Sequence, residues 1–174
     1  LIQQLDLTRT VERIPKIQNY PYIDDPEMRK MIGTTASDLQ IDPSSERWTS
    51  INAYREDKAV ILFFWHPYMQ TSTLLLRRLH ELFTQEEAAK PSAVAIGVSS
   101  IYGPAQKDEL KEYIKEYGDE LLLLEDDGVK TGKSYNLQSI PKVFIIDKKG
   151  VIVDVMEGDK QNIASRIKAV LESL

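Results

Sequence analysis

The sequence predicts an α/β domain built on a mixed sheet, and three observations carry that prediction. Ala59–Phe64 and Ala93–Val98 are continuous apolar, β-rich runs, the mark of strands buried on both faces. An amphipathic helical pattern follows each of them. Late in the chain, Val143–Ile146 and Val151–Val155 flank Asp147-Lys148-Lys149-Gly150, a hairpin signal. The early β-α-β order implies parallel pairing with right-handed crossovers, and the hairpin adds antiparallel strands to the same sheet.

The elements follow in chain order. Residues 1 to 32 read as an N-terminal arm, polar and interrupted by Pro15, Pro21 and Pro26. Asp25-Pro26-Glu27 offers a helix N-cap and a first-turn proline, enough for a short helix through Arg29, Met31 and Ile32. Ile14, Ile17, Tyr20, Tyr22 and Ile23 give the arm apolar anchors, to be buried on the domain or on a partner. Residues 33 to 174 read as the domain. After the strand at 59–64, Leu75, Leu79, Leu82 and Phe83 recur at helical spacing, with Leu76 beside them, until Pro91. Pro104 to Tyr117 is an amphipathic helix with Leu110, Tyr113, Ile114 and Tyr117 on one face and Gly118 as its stop. Leu121 to Leu124 make a short buried strand. Glu125-Asp126-Asp127 before Gly128 reads as a solvated turn, since a calcium loop needs alternating oxygen ligands that this run lacks. Ile163, Ile167, Val170, Leu171 and Leu174 trace a last helix.

Composition narrows the function classes. The net charge of −5 comes without a large basic cluster, so nucleic acid is not an expected partner. The longest near-apolar run, Ala59 to Trp65, is far too short to span a membrane. No signal peptide is visible, because Leu1 is followed at once by polar residues. A chain that starts on Leu rather than Met fits removal of an upstream segment, such as a leader or lipid anchor. The chain has no cysteine, which excludes disulfides, thiolate nucleophiles, iron–sulfur clusters and cysteine-ligated zinc together.

Three stretches then carry a family resemblance. Gly33-Thr34-Thr35-Ala36-Ser37-Asp38-Leu39 is similar to an opening Gly-x-x-Ala-Pro-Asp-Phe, with Ser37 in place of proline. Lys58 to Trp65 is similar to a strand ending in Trp just before a redox motif. Ser139-Ile140-Pro141 through Asp147 to Gly150 is similar to a cis-proline segment followed by strand, Asp and turn Gly. Asp126-Asp127-Gly128 and Tyr135 also fall where the family has a similar run. Together, over residues 33 to 174, they resemble thioredoxin-like proteins of the membrane-tethered thiol reductase and alkyl hydroperoxide reductase type. The resemblance implies a five-stranded sheet in the order 121–124, 93–98, 59–64, 143–147, 151–155, with helices on both faces. It also implies a cis Ile140–Pro141 bond near His66, and slightly favours an extracytoplasmic or membrane-tethered location.

The resemblance places the family's Cys-x-x-Cys on His66-Pro67-Tyr68-Met69. In such proteins the first cysteine is a thiolate that attacks a disulfide and the second resolves the mixed product. Imidazole and thioether do neither. The expected protein is therefore redox-inactive, needs no cofactor, and binds another protein or a larger assembly. The candidate partner-binding residues are Trp65, Tyr68, Ile140 and Pro141 on the former active-site face, with Tyr20 and Tyr22 on the arm; Tyr68 is the one expected to be exposed. The alternative is a metal-binding protein or non-thiol enzyme using His66 and Met69, a nitrogen and a soft sulfur that suit copper. Two ligands are few, and His80 stands fourteen residues along, about 20 Å away on a helix. Thr71, Ser72 and Thr73 are expected as exposed first-turn residues rather than nucleophiles.

Overall fold

The structure, a computed structural model, describes residues 26–39, 51–85, 93–100, 103–126, 129–158 and 160–174. Its frame is a five-stranded sheet: β1 (Ala59–Trp65), β2 (Ala93–Ser100), β3 (Leu121–Asp126), β4 (Lys142–Ile146) and β5 (Ile152–Glu157), in the order β3-β2-β1-β4-β5. The order is the predicted one. β1 pairs parallel with β2 and antiparallel with β4; β2 pairs parallel with β3, and β4 antiparallel with β5. All seven residues of central β1 are buried, as a strand covered on both faces requires. β2 and β3 run on into polar residues because Ser99 pairs with Glu125 and Ser100 with Asp126. This corrects the expected solvated turn: Glu125 and Asp126 belong to the strand, and Asp126 is only 3% exposed.

Side chains alternate across β1 and sort the core into two layers. Ile61, Phe63 and Trp65 face one layer, with Leu75, Leu79 and Phe83 of α3 (Gln70–Gln85), Leu110 and Tyr117 of α4 (Pro104–Tyr117), and Ile163, Ile167 and Val170 of α6 (Ile163–Glu172). Gly97 lets Phe63 lie flat across β2, since a Cβ there would collide with the Phe63 ring. Val60, Leu62 and Phe64 face the other layer, with Met28 of α1 (Pro26–Arg29), Leu39, Ile51 of α2 (Ile51–Arg55), and Tyr135 just after α5 (Val129–Ser134). Neither α2 nor α5 was expected from the sequence. α5 is six residues long, contains Gly132 and has no apolar period to announce it.

Packing reaches back to Met28, which is fully buried, inside the stretch read as an arm. Gly33 N–H donates to the Ile152 carbonyl at 2.7 Å, and Ile152 N–H donates to the Thr34 carbonyl at 2.9 Å. The start of the domain is thus hydrogen-bonded to the edge strand β5. Ile14, Ile17, Tyr20, Tyr22 and Ile23 lie outside the described residues.

Two polar features are built into this core. Asp154 of β5 and Arg166 of α6 are both buried and meet as a fork, Nε to Oδ2 at 2.9 Å and Nη2 to Oδ1 at 2.6 Å. Burial pushes the Asp154 carboxyl up, against the opposing pull of Arg166. The hairpin between β4 and β5 is closed by Asp147, whose Oδ1 accepts from Lys149 N–H at 2.9 Å and Val151 N–H at 2.8 Å. Lys148 and Lys149 stand exposed at its tip.

Candidate functional site

The candidate site is the turn His66-Pro67-Tyr68-Met69, where the chain leaves central β1 and enters α3. The turn is held by its own backbone and by one ring. His66 Nδ1 accepts the Tyr68 N–H at 3.2 Å, and the His66 carbonyl accepts the Met69 N–H at 3.1 Å. An accepting Nδ1 carries no proton, so the ring's proton sits on Nε2. The Met69 carbonyl accepts the Thr73 N–H at 3.0 Å, which makes Met69 the N-cap of α3 and sets the turn before the helix rather than in it.

Exposure then separates the four residues and their neighbours. Pro67 is buried and His66 half-buried, whereas Tyr68 is 56% and Met69 37% exposed. Trp65 is 1% exposed and belongs to the core beneath. Ser72 corrects an expectation. It is fully buried, because it precedes Leu75 and Leu76 by three and four residues and so shares their core-facing side of α3. Thr71 is exposed and Thr73 half-buried.

The second wall comes from β4. The Ile140–Pro141 bond is cis, as expected. Phe64 pairs with Lys142 across the β1–β4 ladder, so one step further brings Pro141 beside Trp65, at the sheet end that carries His66. Gly158 closes the floor: its N–H donates to the Pro141 carbonyl at 2.9 Å. A Cβ on Gly158 would lie 2.7 Å from Leu75 Cδ2 and 2.8 Å from Pro141 Cβ, so only glycine fits between proline and helix. Lys142 is 3% exposed and forms an ion pair with Glu157, its partner on β5. Sequence reasoning missed Lys142, Glu157 and Gly158, since a lone lysine at a strand start carries no signal of burial.

The structure thus gathers Trp65, His66, Pro67, Tyr68, Met69, Ile140 and Pro141 at one end of the sheet; Tyr20 and Tyr22 lie outside the described residues. The cluster holds no thiol. For a metal it offers only His66 and Met69, and Nδ1 of His66 already accepts a hydrogen bond. Among the described residues, no three His, Asp or Glu side chains gather in a metal-holding group. An aromatic ladder runs from the base of the site along the helices: Trp65 to Tyr113 at 5.3 Å, Tyr113 to Tyr117 at 6.2 Å, Tyr117 to His80 at 4.9 Å. It ends where His80 Nε2 meets Glu120 Oε2 at 3.2 Å. Burial, first among the causes, pushes both tyrosine hydroxyls up. A separate shallow groove of about 240 Å³ opens between α3 and α6, lined in part by Arg78, Glu81 and Lys168.

Sheet order, crossovers and the cis-proline beside the β1–α3 turn define a thioredoxin-like fold. The chain belongs to the AhpC/TSA family, whose pattern matches residues 32–155. Among solved structures it is similar to the thioredoxin domain of a thiol-disulfide oxidoreductase from Bacteroides vulgatus, at 22% identity and TM-score 0.62, covering 80% of this chain and 97% of that one. It is similar to a thiol:disulfide interchange protein from Bacteroides sp., at 21% identity and TM-score 0.61, covering 81% and 90%. It is also similar to an exposed lipoprotein thioredoxin of Streptococcus pneumoniae, at 22% identity and TM-score 0.60, covering 79% and 100%. No curated protein sequence matches it.

Proposed function

We propose that this chain is a redox-inactive member of its family that binds another protein through the face formed by His66–Met69 and Ile140–Pro141. On this reading His66-Pro67-Tyr68-Met69 stands where the family carries Cys-x-x-Cys. One observation carries the proposal: at the site where a thiol would react, a chain without cysteine presents Tyr68 and Met69, large apolar side chains left 56% and 37% exposed. Leaving such surface in water costs roughly 25 cal/mol per Å², and covering it with a partner recovers that cost. Tyrosine at the centre of a patch is also a frequent anchor of binding energy. Buried Pro67, Trp65 and Pro141 hold the patch rigid, so little ordering cost is added on binding. The arm, with Tyr20 and Tyr22, is the second element of the proposed interface. An extracytoplasmic or membrane-tethered location fits the likeness to an exposed lipoprotein.

Affinity purification from the native source tests the reading. The full chain should retain a stoichiometric partner that Tyr68→Ala loses while its unfolding midpoint stays unchanged. Equal recovery by both forms would remove this face from the interface. Disulfide-reductase activity that is reproducible and abolished by His66→Ala would sink the redox-inactive reading.

A further inference from the structure

We propose that Met69 is a reversible oxidation site, taking a hydroperoxide as its oxidant, and that its oxidation makes the docking face polar. The regulatory half of this rests on the docking role proposed above; the chemical half does not.

The sulfur inventory of the protein is small and fully placed. There is no cysteine, and there are four methionines. Met28 is 0% and Met156 3% exposed, both packed in the core, and Met31 is half-buried against it. Met69 alone among the four is exposed. Oxidation of a thioether follows access of the oxidant to the sulfur, so the burial pattern directs a peroxide to this residue first.

A second observation favours the product. Met69 is the N-cap of α3, its carbonyl accepting the Thr73 N–H. A helix N-terminus presents N–H groups that ordinarily receive a side-chain acceptor from the N-cap residue. A thioether is a weak acceptor. A sulfoxide oxygen is a strong one, with its negative end suited to the positive end of a helix sixteen residues long. The oxidised side chain therefore carries an acceptor beside the cap that the reduced one lacks.

In the reaction a sulfur lone pair attacks the distal peroxide oxygen. The S–O bond forms as the O–O bond breaks. The peroxide proton passes to the departing oxygen, which leaves as an alcohol, or as water when the oxidant is hydrogen peroxide. Sulfur loses two electrons and the peroxide gains them. A thiol-dependent methionine sulfoxide reductase reverses the change, taking the oxygen off as water while two thiols become a disulfide. Between the two states a flexible apolar side chain beside Tyr68 becomes a polar one, and an apolar partner surface loses its match.

The experiment treats the full chain with tert-butyl hydroperoxide and follows oxygen uptake by intact mass and peptide mapping. The first oxygen should enter at Met69 before Met31, and well before the core residues Met28 and Met156. Met69→Leu should abolish that first phase, and the two epimer-specific methionine sulfoxide reductases together should restore the original mass. The unfolding midpoint of the singly oxidised protein should rise, as a new cap requires. Uptake spread evenly over the methionines, or a fast phase surviving in Met69→Leu, would overturn the site; a midpoint that fails to rise would overturn the capping. Mapping needs no partner, so the two proposals fail separately. If reduced and oxidised forms capture the partner equally while Tyr68→Ala loses it, the regulation is wrong and docking stands. If Met69 oxidises selectively and Tyr68→Ala changes nothing, docking is wrong and the modification stands.

Discussion

The two faces of the sheet are covered in different ways. One lies under α3, α4 and α6, helices of ten to sixteen residues whose apolar positions recur with the helical period. The other lies under α1, α2 and α5, pieces of four to six residues, helped by the single side chains Leu39 and Tyr135. Both layers exclude water equally well: Leu79 and Ile167 on the first are 0% exposed, and so are Met28 and Tyr135 on the second. The comparison shows that a core layer does not need long helices. It needs enough large side chains pinned in place, and short segments do this when hydrogen bonds to the sheet hold them, as Gly33 and Thr34 are held to Ile152.

The comparison can be broken by substitution, beginning on the long-helix face. Asp154→Ala leaves the Arg166 guanidinium buried without its carboxylate and should cost about 3–5 kcal/mol in urea unfolding; a loss under about 1 kcal/mol would mean water reaches the pair. On the short-segment face, Met28→Ala should cost about 2 kcal/mol or more, comparable with Leu79→Ala opposite. A negligible loss would show that this layer is looser than its burial implies, and that the fold begins after α1. Tyr135→Phe is a finer probe. The hydroxyl donates to the Ser37 carbonyl at 2.5 Å, so its removal should cost about 1 kcal/mol. Burial first, and then Asp38, push this hydroxyl's pKa up. The folded protein therefore keeps a proton that the unfolded chain loses at ordinary tyrosine values, and stability should fall as pH rises beyond that point. The phenylalanine variant should lose that part of the alkaline slope. The smallest effect is expected at His80→Gln, where the partly exposed contact with Glu120 is worth under about 1 kcal/mol.

The same contrast explains what the sequence disclosed. β1 and β2 were legible because strands buried on both faces are continuously apolar, and α3, α4 and α6 because their period is written in leucine and isoleucine. Strand order and the cis bond at Pro141 followed from family resemblance, not from local pattern. α2 and α5 were hidden because a helix of five or six residues has too few turns to show a period. Ser72 and Asp126 were misplaced for a related reason: each is polar, and each is buried by neighbours that are remote in sequence or one turn along. At the site, the exposed Tyr68 was foreseen from its place after the strand-ending Trp65. The bond from Tyr68 N–H to His66 Nδ1 was not, since it depends on how a short turn closes. Lys142 and Glu157 face each other only because β4 and β5 pair in that register.

Trp65 makes the candidate face optically readable. Its indole is 1% exposed and edge-on to Tyr113, and among the described residues its Nε1 finds no hydrogen-bond partner. An excited indole without polar neighbours to relax around it emits at short wavelength. It also stands one peptide bond from His66 and shares its sheet end with Pro141. With Trp48 replaced by phenylalanine, the emission would come from this one ring. A ligand that tightens or parts the turn above it would change the colour or intensity of that emission. The residue that anchors the floor of the site thus doubles as a built-in fluorophore for finding what binds there.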